Sequence, residues 1–198
     1  MRFLSTLFDL AVLNLVTIVC SIPVITAGAA LTAMNNVLIH MVRDDHNYVI
    51  RMFRRSFRSN LRQATGIWMI FIGFAIVAAV DLKVMRAFDS RSGTMIMIIL
   101  TVVSVLVFTL GVYAFALLAR YENTVKGTLK NAAYLAIGHL PRTAGIALIW
   151  LAVFAGIWIF KIRAVLLVLL FGLTIPGYLC TMIYDPVFRK LEQKENDE

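Results

Sequence analysis

Six long apolar stretches follow one another along the 198-residue chain, and only short polar blocks separate them. Hydrophobic residues make up 61% of the chain and charged residues 15%, whereas soluble domains have about half and about a quarter. A soluble domain of this size could not bury so much apolar side chain, and about 20 apolar residues suffice to cross a bilayer as a helix. The pattern predicts an all-α, polytopic transmembrane helix bundle.

We expect one integral membrane domain over residues 1–191 and a polar C-terminal tail, frayed beyond Leu191, over 192–198. The expected spans are about 3–22, 24–42, 64–80, 94–119, 143–160 and 164–184. Two polar blocks, 43–63 and 120–142, are expected to form amphipathic elbow helices at the membrane interface, and 81–93 a short loop. Only Arg2 precedes the first apolar stretch, and apolar sequence resumes right after Pro23. We therefore expect a retained span instead of a cleaved signal peptide.

Ser21-Ile22-Pro23 separates the first two stretches. Proline lacks an N–H donor and disfavours the helical conformation in the residue before it, so a helix is expected to end here. Because the junction carries no charge, two arrangements are open. One is two spans joined by a tight hairpin on the side opposite the basic blocks, which we favour, and the other is one kinked or re-entrant helix.

The block RDDHNYVIRMFRRSFRSNLRQ, residues 43–63, is the longest polar interruption. Apolar and small polar residues recur in it at helical spacing, at Val49, Met52, Phe53, Ser56, Phe57, Asn60, Leu61 and Ala64. The pattern favours a helix lying in the interface, with aromatic rings toward the acyl chains and arginines among anionic headgroups, over a basic helix packed on a domain. The residues expected to bind lipid or dock a partner are Arg51, Arg54, Arg55, Arg58, Arg62, Phe53 and Phe57.

The distribution of lysine and arginine predicts the orientation. In the six-span arrangement 14 of them fall on the side of the two elbows and both termini, and 5 on the opposite side. Basic residues near span ends stay in the cytoplasm, so both termini are expected there. The net charge of +8 therefore reflects orientation and lipid contact, and since the charges form no contiguous basic domain we expect no nucleic-acid partner.

No motif predicts an enzyme, a metal site or a cofactor. The sequence contains no HExxH motif, no Cys/His cluster and no Gly-rich phosphate loop. His40, His46 and His139 are expected near the cytoplasmic interface, outside any metal-binding motif, and the two cysteines, Cys20 and Cys180, are expected in different spans as packing residues. Asp81 and Asp185 are expected at span ends, where water hydrates their carboxylates and no special function is needed to explain them.

Polar groups inside the apolar stretches are the candidates for a solute path, because they are costly in hydrocarbon. The candidate path residues are Asp9, Asn14, Thr26, Thr32, Asn35 and Asn36. Asp9 either faces a polar cavity together with Asn14, Asn35 and Asn36, or lies near the headgroups, where water hydrates it. The small residues around Gly28 favour close helix packing, with a path for a small solute as the second interpretation.

Two segments, SIPVITAGAALTA from Ser21 and FRRSFRSNLRQA from Phe53, resemble the YesL-like family of bacterial integral membrane proteins of unknown function. The resemblance extends over nearly the whole chain and departs at Ile22, Ala29 and Leu61. It implies a bacterial cytoplasmic membrane protein linked to carbohydrate uptake by ABC importers, and it implies no activity. Two functions are therefore expected: a non-catalytic accessory or regulatory protein that contacts importer permease subunits, which we favour, or a small-solute, sugar-type carrier.

Overall fold

The computed structural model describes residues 2–43, 48–87, 91–121, 124–161 and 165–196, and every regular element in these ranges is a helix. The helices are α1 (Arg2–Ser21), α2 (Ala27–Val42), α3 (Val49–Ala87), α4 (Arg91–Arg120), α5 (Val125–Gly138), α6 (Leu140–Phe160), α7 (Val165–Phe171) and α8 (Thr174–Asn196), with a short 3-10 turn at Val24–Thr26. Six helical segments in the described residues are long and apolar enough to cross a membrane. The predicted all-α, multi-span fold is confirmed.

Pro23 separates the first two helices as expected. Its backbone is extended, with φ −73° and ψ 104°, and the Thr26 hydroxyl donates to the carbonyls of Cys20 and Pro23 at 2.7 and 2.8 Å. Because α1 and α2 pack against each other, this region is a hairpin of two helices and not one kinked helix.

The hairpin turn lies beside the middle of α3. The Trp68 indole Nε1 donates to the Val24 carbonyl at 2.7 Å, which places the turn beside the first turns of the apolar half of α3. The end of α3 at Ala87 lies 19 residues further on, or about 28 Å at 1.5 Å per residue. The predicted position of the turn on the side of the membrane opposite the basic blocks stays a prediction.

The arginine-rich block is not a separate interfacial elbow. Its residues 49–63 are the first part of α3, a helix of 39 residues that runs without interruption into the predicted third span. Its apolar stripe faces protein, since Phe53 is 3% exposed and belongs to one buried cluster with Leu10, Leu13 and Met41. The predicted contact of this stripe with acyl chains is thus wrong, because α1 and α2 cover it.

The predicted loop at 81–93 is also shorter than expected, because α3 continues to Ala87 and α4 begins at Arg91. The second elbow is confirmed as a helix, α5. The Thr124 hydroxyl caps it by accepting from the Gly127 amide at 3.2 Å. His139 separates α5 from α6, which has Pro141 in its first turn, a position where the missing N–H costs nothing.

The predicted sixth span is broken, and the predicted tail is largely helical. Between α7 and α8, Gly172 and Leu173 form a turn in the middle of the expected span. The helix α8 then continues to Asn196, five residues past the predicted fraying point. The ion pairs of Glu192, described below, explain why the helix does not end at Leu191.

Candidate functional site

An exposed arginine face occupies the outer side of the first half of α3. It consists of Arg51, Arg54, Arg55, Arg58 and Arg62, all of them exposed. The Arg51 guanidinium lies 4.8 Å from the centre of the Tyr48 ring. Within the described part of the chain, none of the five forms an ion pair with a carboxylate. Exposed guanidinium groups of this kind can meet an external anion.

The two aromatic residues predicted to join this face do not do so. Phe53 is buried, and Phe57 is half-buried with its ring stacked on Phe53 at a centroid distance of 6.0 Å. They anchor α3 to α1 and α2 instead of meeting lipid or a partner. Asp9 is half-buried and lines a groove beside Arg51 and Arg54, at the edge of the arginine face.

The amides predicted to line a path bind separate backbone groups. Asn14 is fully buried at the α7–α8 break, where its Nδ2 donates to the carbonyls of Val168 and Leu169 and its Oδ1 accepts from the amides of Leu173 and Thr174. These four bonds are 2.7 to 3.2 Å long. The Val168 carbonyl also accepts from the Gly172 amide at 2.9 Å, and the other three are backbone groups of the kind that a helix end leaves without partners. Asn14 therefore holds the broken helix to α1.

Three other predicted path residues, Thr32, Asn35 and Asn36, lie on α2 and form hydrogen bonds within it or to neighbouring helices. Thr32 donates to the Gly28 carbonyl at 2.9 Å. Asn35 donates to the Leu31 carbonyl and accepts from the Tyr184 hydroxyl at 2.9 Å, and Asn36 donates to the Ala119 carbonyl of α4 at 2.9 Å. The structure thus distributes the predicted path residues among the contacts of α2 with α4 and α8 and does not assemble them into one line.

An ion-pair cluster that the sequence analysis missed joins the ends of α2, α4 and α8. Asp185 accepts from Arg43 Nε at 2.7 Å and from Arg189 Nε at 2.6 Å. Glu192 binds Arg43 Nη1 at 3.0 Å and Arg120 Nε at 2.8 Å. Asp185 is 2% exposed, so its expected hydration is wrong, and its two arginines replace the water.

Electrostatics favours the charged forms of Glu192 and Arg43. Burial opposes the Glu192 carboxylate, but hydrogen bonds from Arg120 and Arg43 outweigh it and hold the pKa of Glu192 below its usual value. Burial likewise opposes the Arg43 guanidinium, and the hydrogen bonds to Glu192 and Asp185 outweigh it and raise the Arg43 pKa. The spacing of Asp185, Arg189 and Glu192 at i, i+4 and i+7 was the available signal, since it predicts one helix face of alternating charge.

A polar groove of about 650 Å³ lies between α2, α3 and α4. Its described lining contains two cations, Arg55 and Arg120, and no acidic residue. The other polar lining residues are Asn36, His40, Ser56, Ser59, Asn60, Gln63 and Tyr121. Of the predicted residues, the groove brings together Arg55 and Asn36, which the sequence analysis had assigned to two different functions.

The histidines and cysteines stay apart. The ring nitrogen Nδ1 of His40 lies 2.8 Å from the Asn36 carbonyl, His139 is at the α5–α6 junction, and His46 lies outside the described residues. Cys20 and Cys180 form no disulfide. In the described ranges no group of three or more His, Cys, Asp or Glu side chains is placed to hold a metal ion.

Part of the chain is similar to a known protein family. The family described as "Protein of unknown function, DUF624" matches residues 10–82, which is less than half of the chain. The matched segment contains most of α1, all of α2 and most of α3, and therefore the hairpin, the buried amides of α1 and α2 and the arginine face. No curated protein and no solved structure matches the chain. The chain is a multi-span helical membrane protein whose N-terminal part is similar to a family of unknown function.

Proposed function

We propose that this protein is a non-catalytic accessory or regulatory membrane protein that docks through the arginine face to an acidic surface of a partner. The observation that carries the proposal is a contrast within one part of the molecule. Arg43, Arg120 and Arg189 all have carboxylate partners, whereas the five arginines of the arginine face have none among the described residues. Within the described residues, the carboxylates of Asp185 and Glu192 bind other arginines, and the exposed guanidinium groups of this face can meet an external anion.

The physical chemistry of the face supports an acidic protein partner. Like charges three and four positions apart on a helix destabilise it, so an external anion that neutralises them is favoured. Guanidinium groups bind carboxylates with two parallel hydrogen bonds and are weakly hydrated, which suits a protein interface. Phe53 and the continuity of α3 fix the helix before binding, so little ordering remains for the docking step.

The resemblance to the YesL-like family supplies the expected partner, a permease subunit of a carbohydrate ABC importer. We further propose a bacterial cytoplasmic membrane location with both termini in the cytoplasm. The lysine and arginine distribution supports it. The ion pairs that join the C-terminal ends of α2, α4 and α8 support one common side for these ends.

The test is mild cross-linking in native membranes, affinity purification of a C-terminally tagged copy, and mass spectrometry. The double variant Arg54→Gln/Arg58→Gln removes two charges from the arginine face. Its matched control, Lys126→Gln/Lys130→Gln, removes two charges from α5. Recovery of permease subunits that only the arginine variant abolishes is the expected result. If the wild-type protein is recovered alone, or both doubles behave alike, the docking proposal fails.

The alternative is a small-solute, sugar-type carrier, and one observation favours it. Asn35 lines a cavity of about 300 Å³ inside the bundle, with Trp68 and Trp150 among its walls. Amides can bind sugar hydroxyls without charge. Sugar flux into vesicles containing the purified protein should be abolished by Asn35→Leu/Asn36→Leu and retained in Tyr184→Phe, which removes only the hydroxyl that Asn35 accepts from. Flux that is absent, or unchanged in the double variant, removes this alternative.

A further inference from the structure

We infer that the polar groove between α2, α3 and α4 is a binding site for a phosphate that carries neighbouring hydroxyl groups, as in a glycerol phosphate. Of the arginine face the site uses Arg55 alone, so its test differs from that of the docking proposal, which changes Arg54 and Arg58. The groove has a volume of about 650 Å³, within the range of about 300 to 1,000 Å³ for small-ligand sites.

Two guanidinium groups supply the anion-binding part. Arg55 comes from α3 and has no carboxylate partner among the described residues. Arg120 comes from α4 and uses Nε for Glu192 at 2.8 Å, and this bond holds its side chain in place while its Nη groups make no ion pair in the described part of the chain. Guanidinium donors match phosphate oxygens in geometry and charge, and the described lining has no carboxylate to repel an anion.

Neutral acceptors beside the two arginines supply the hydroxyl-binding part. Asn36 donates through Nδ2 to Ala119 and Asn60 donates through Nδ2 to Ser56, which leaves the Oδ1 atom of each amide as an acceptor. The Ser59 hydroxyl donates to the Ser56 carbonyl at 3.1 Å and accepts from Asn60 Nδ2 at 3.3 Å, so one lone pair of its oxygen is left to accept from a ligand. Acceptors of this kind bind ligand hydroxyl groups, which a bare sulfate or inorganic phosphate does not provide in the same arrangement.

Two sources could supply this chemistry. The groove extends along α3 from Met52 to Gln63, where the arginine-rich half meets the apolar half that begins at Ala64. Met52 and Leu118 add apolar walls. A soluble polyol phosphate and the headgroup of phosphatidylglycerol both carry one phosphate and neighbouring hydroxyl groups, so the experiment has one arm for each.

The experiment uses the full-length protein purified in a neutral detergent. In the soluble arm, binding of sn-glycerol 3-phosphate is titrated by calorimetry, with sodium sulfate and glycerol as comparison probes. In the lipid arm, the protein is placed in phosphatidylcholine nanodiscs with increasing phosphatidylglycerol, and bound lipid is measured by native mass spectrometry. Both arms compare the wild type with Arg55→Gln and with the matched control Arg54→Gln, which removes the same charge from an exposed neighbour outside the groove.

Saturable binding in either arm, weakened about tenfold or more by Arg55→Gln and less than about twofold by Arg54→Gln, is the expected result. The arm that responds identifies the source. Equal weakening by the two variants would show general charge attraction and overturn the site. Sulfate binding as tight as glycerol phosphate would overturn the hydroxyl recognition, and absence of saturable binding in both arms would overturn the inference as a whole. Arg55 is exposed, so its change leaves the fold intact, and permease recovery reports separately on docking.

Discussion

The helices α2 and α6 are both apolar enough to cross a membrane, yet their surroundings are opposite. In an 18-residue window of the span that contains α2, 67% of the residues are buried inside the protein, against 11% in such a window of α6. The helix α2 carries Gly28, Thr32, Asn35 and Asn36, whereas most of α6 is large apolar side chain that points outward. Small and polar residues therefore mark the apolar helix that protein surrounds, and uniform apolar sequence marks the one that lipid surrounds.

The packing of α2 also determines where the α1–α2 turn lies. Because α2 packs along the arginine-rich half of α3, this turn lies beside Trp68 and not beside Ala87. We expect a membrane-impermeant thiol reagent to label Ile22→Cys, an exposed turn residue, from the side of the two termini. Gln193→Cys, at an exposed position on α8, is the control for that side and Lys161→Cys, after α6, for the other. Labelling with Lys161→Cys would show instead that the hairpin crosses the bilayer completely.

The largest stability effect is expected at the closest helix contact. A Cβ atom added to Gly28 would lie 2.5 Å from Trp68 Cβ and 2.6 Å from the Ala64 carbonyl oxygen, and a backbone atom cannot move aside cheaply. We expect Gly28→Ala to destabilise the fold by about 3 kcal/mol or more. Gly156→Ala in α6, where a Cβ meets nothing within 4 Å, should be neutral or slightly stabilising. Thermal unfolding in detergent measures both, and equal melting temperatures would contradict the packing difference.

The next effect is expected at Asp185. Replacing it by Asn leaves Arg43 and Arg189 without their shared buried carboxylate, and breaking a buried pair costs about 3 kcal/mol. Asp81→Asn is the comparison, since Asp81 is only half-buried near the end of α3. The melting temperature of Asp185→Asn should be clearly lower than that of Asp81→Asn in thermal unfolding. If Asp185→Asn unfolds like the wild type, water satisfies this carboxylate as the sequence analysis assumed.

A smaller effect is expected from Asn14→Leu. The change keeps the side-chain size but removes the Asn14 bonds from the Leu169 carbonyl and from the amides of Leu173 and Thr174, and we expect a cost of about 2 kcal/mol. Thr101→Val is the control, because its hydroxyl bonds only the carbonyl four residues earlier on an exposed face. Hydrogen exchange at residues 168–174 should rise in the Asn14 variant alone. Unchanged exchange there would show that the break does not depend on Asn14.

The sequence predicted the helical class and the span ends that physical chemistry fixes locally. Pro23 ends α1, and Arg120 closes α4 one residue from the predicted end. The stripe on α3 was identified correctly at Val49, Phe53 and Ser56, which are all buried. Amphipathicity shows which face is covered but not whether lipid or protein covers it, so the predicted contact of Phe53 with acyl chains was wrong.

The site was harder to predict because its parts are distant in sequence. Asn14 and Leu173 are 159 residues apart, and Arg43 and Asp185 are 142 apart. No local pattern pairs them. The break after Phe171 escaped prediction because the side chain that satisfies its backbone groups lies on α1. Arg55 and Asn36 were noticed for separate reasons, and only tertiary packing places both on the polar groove.

The smallest expected effect is the pH dependence of the ion-pair cluster. The pKa of Glu192 is lower in the folded protein than its ordinary value, so its ion pairs contribute stability above the unfolded pKa of about 4.3. This contribution is lost as the pH falls through the folded pKa. The melting temperature of the wild type should therefore exceed that of Glu192→Gln at neutral pH, and the two should converge on acidification.

Convergence isolates Glu192 because both proteins retain Asp185, Arg43 and Arg120. Lys130→Gln, an exposed change on α5, should keep a constant offset from the wild type over the same range. A constant offset for Glu192→Gln as well would mean that the arginines do not favour the folded carboxylate. The cluster would then stabilise the fold by packing alone. The end of α8 would be held to the bundle by apolar contacts, as the exposed α6 is, and not by polar contacts, as the buried α2 is.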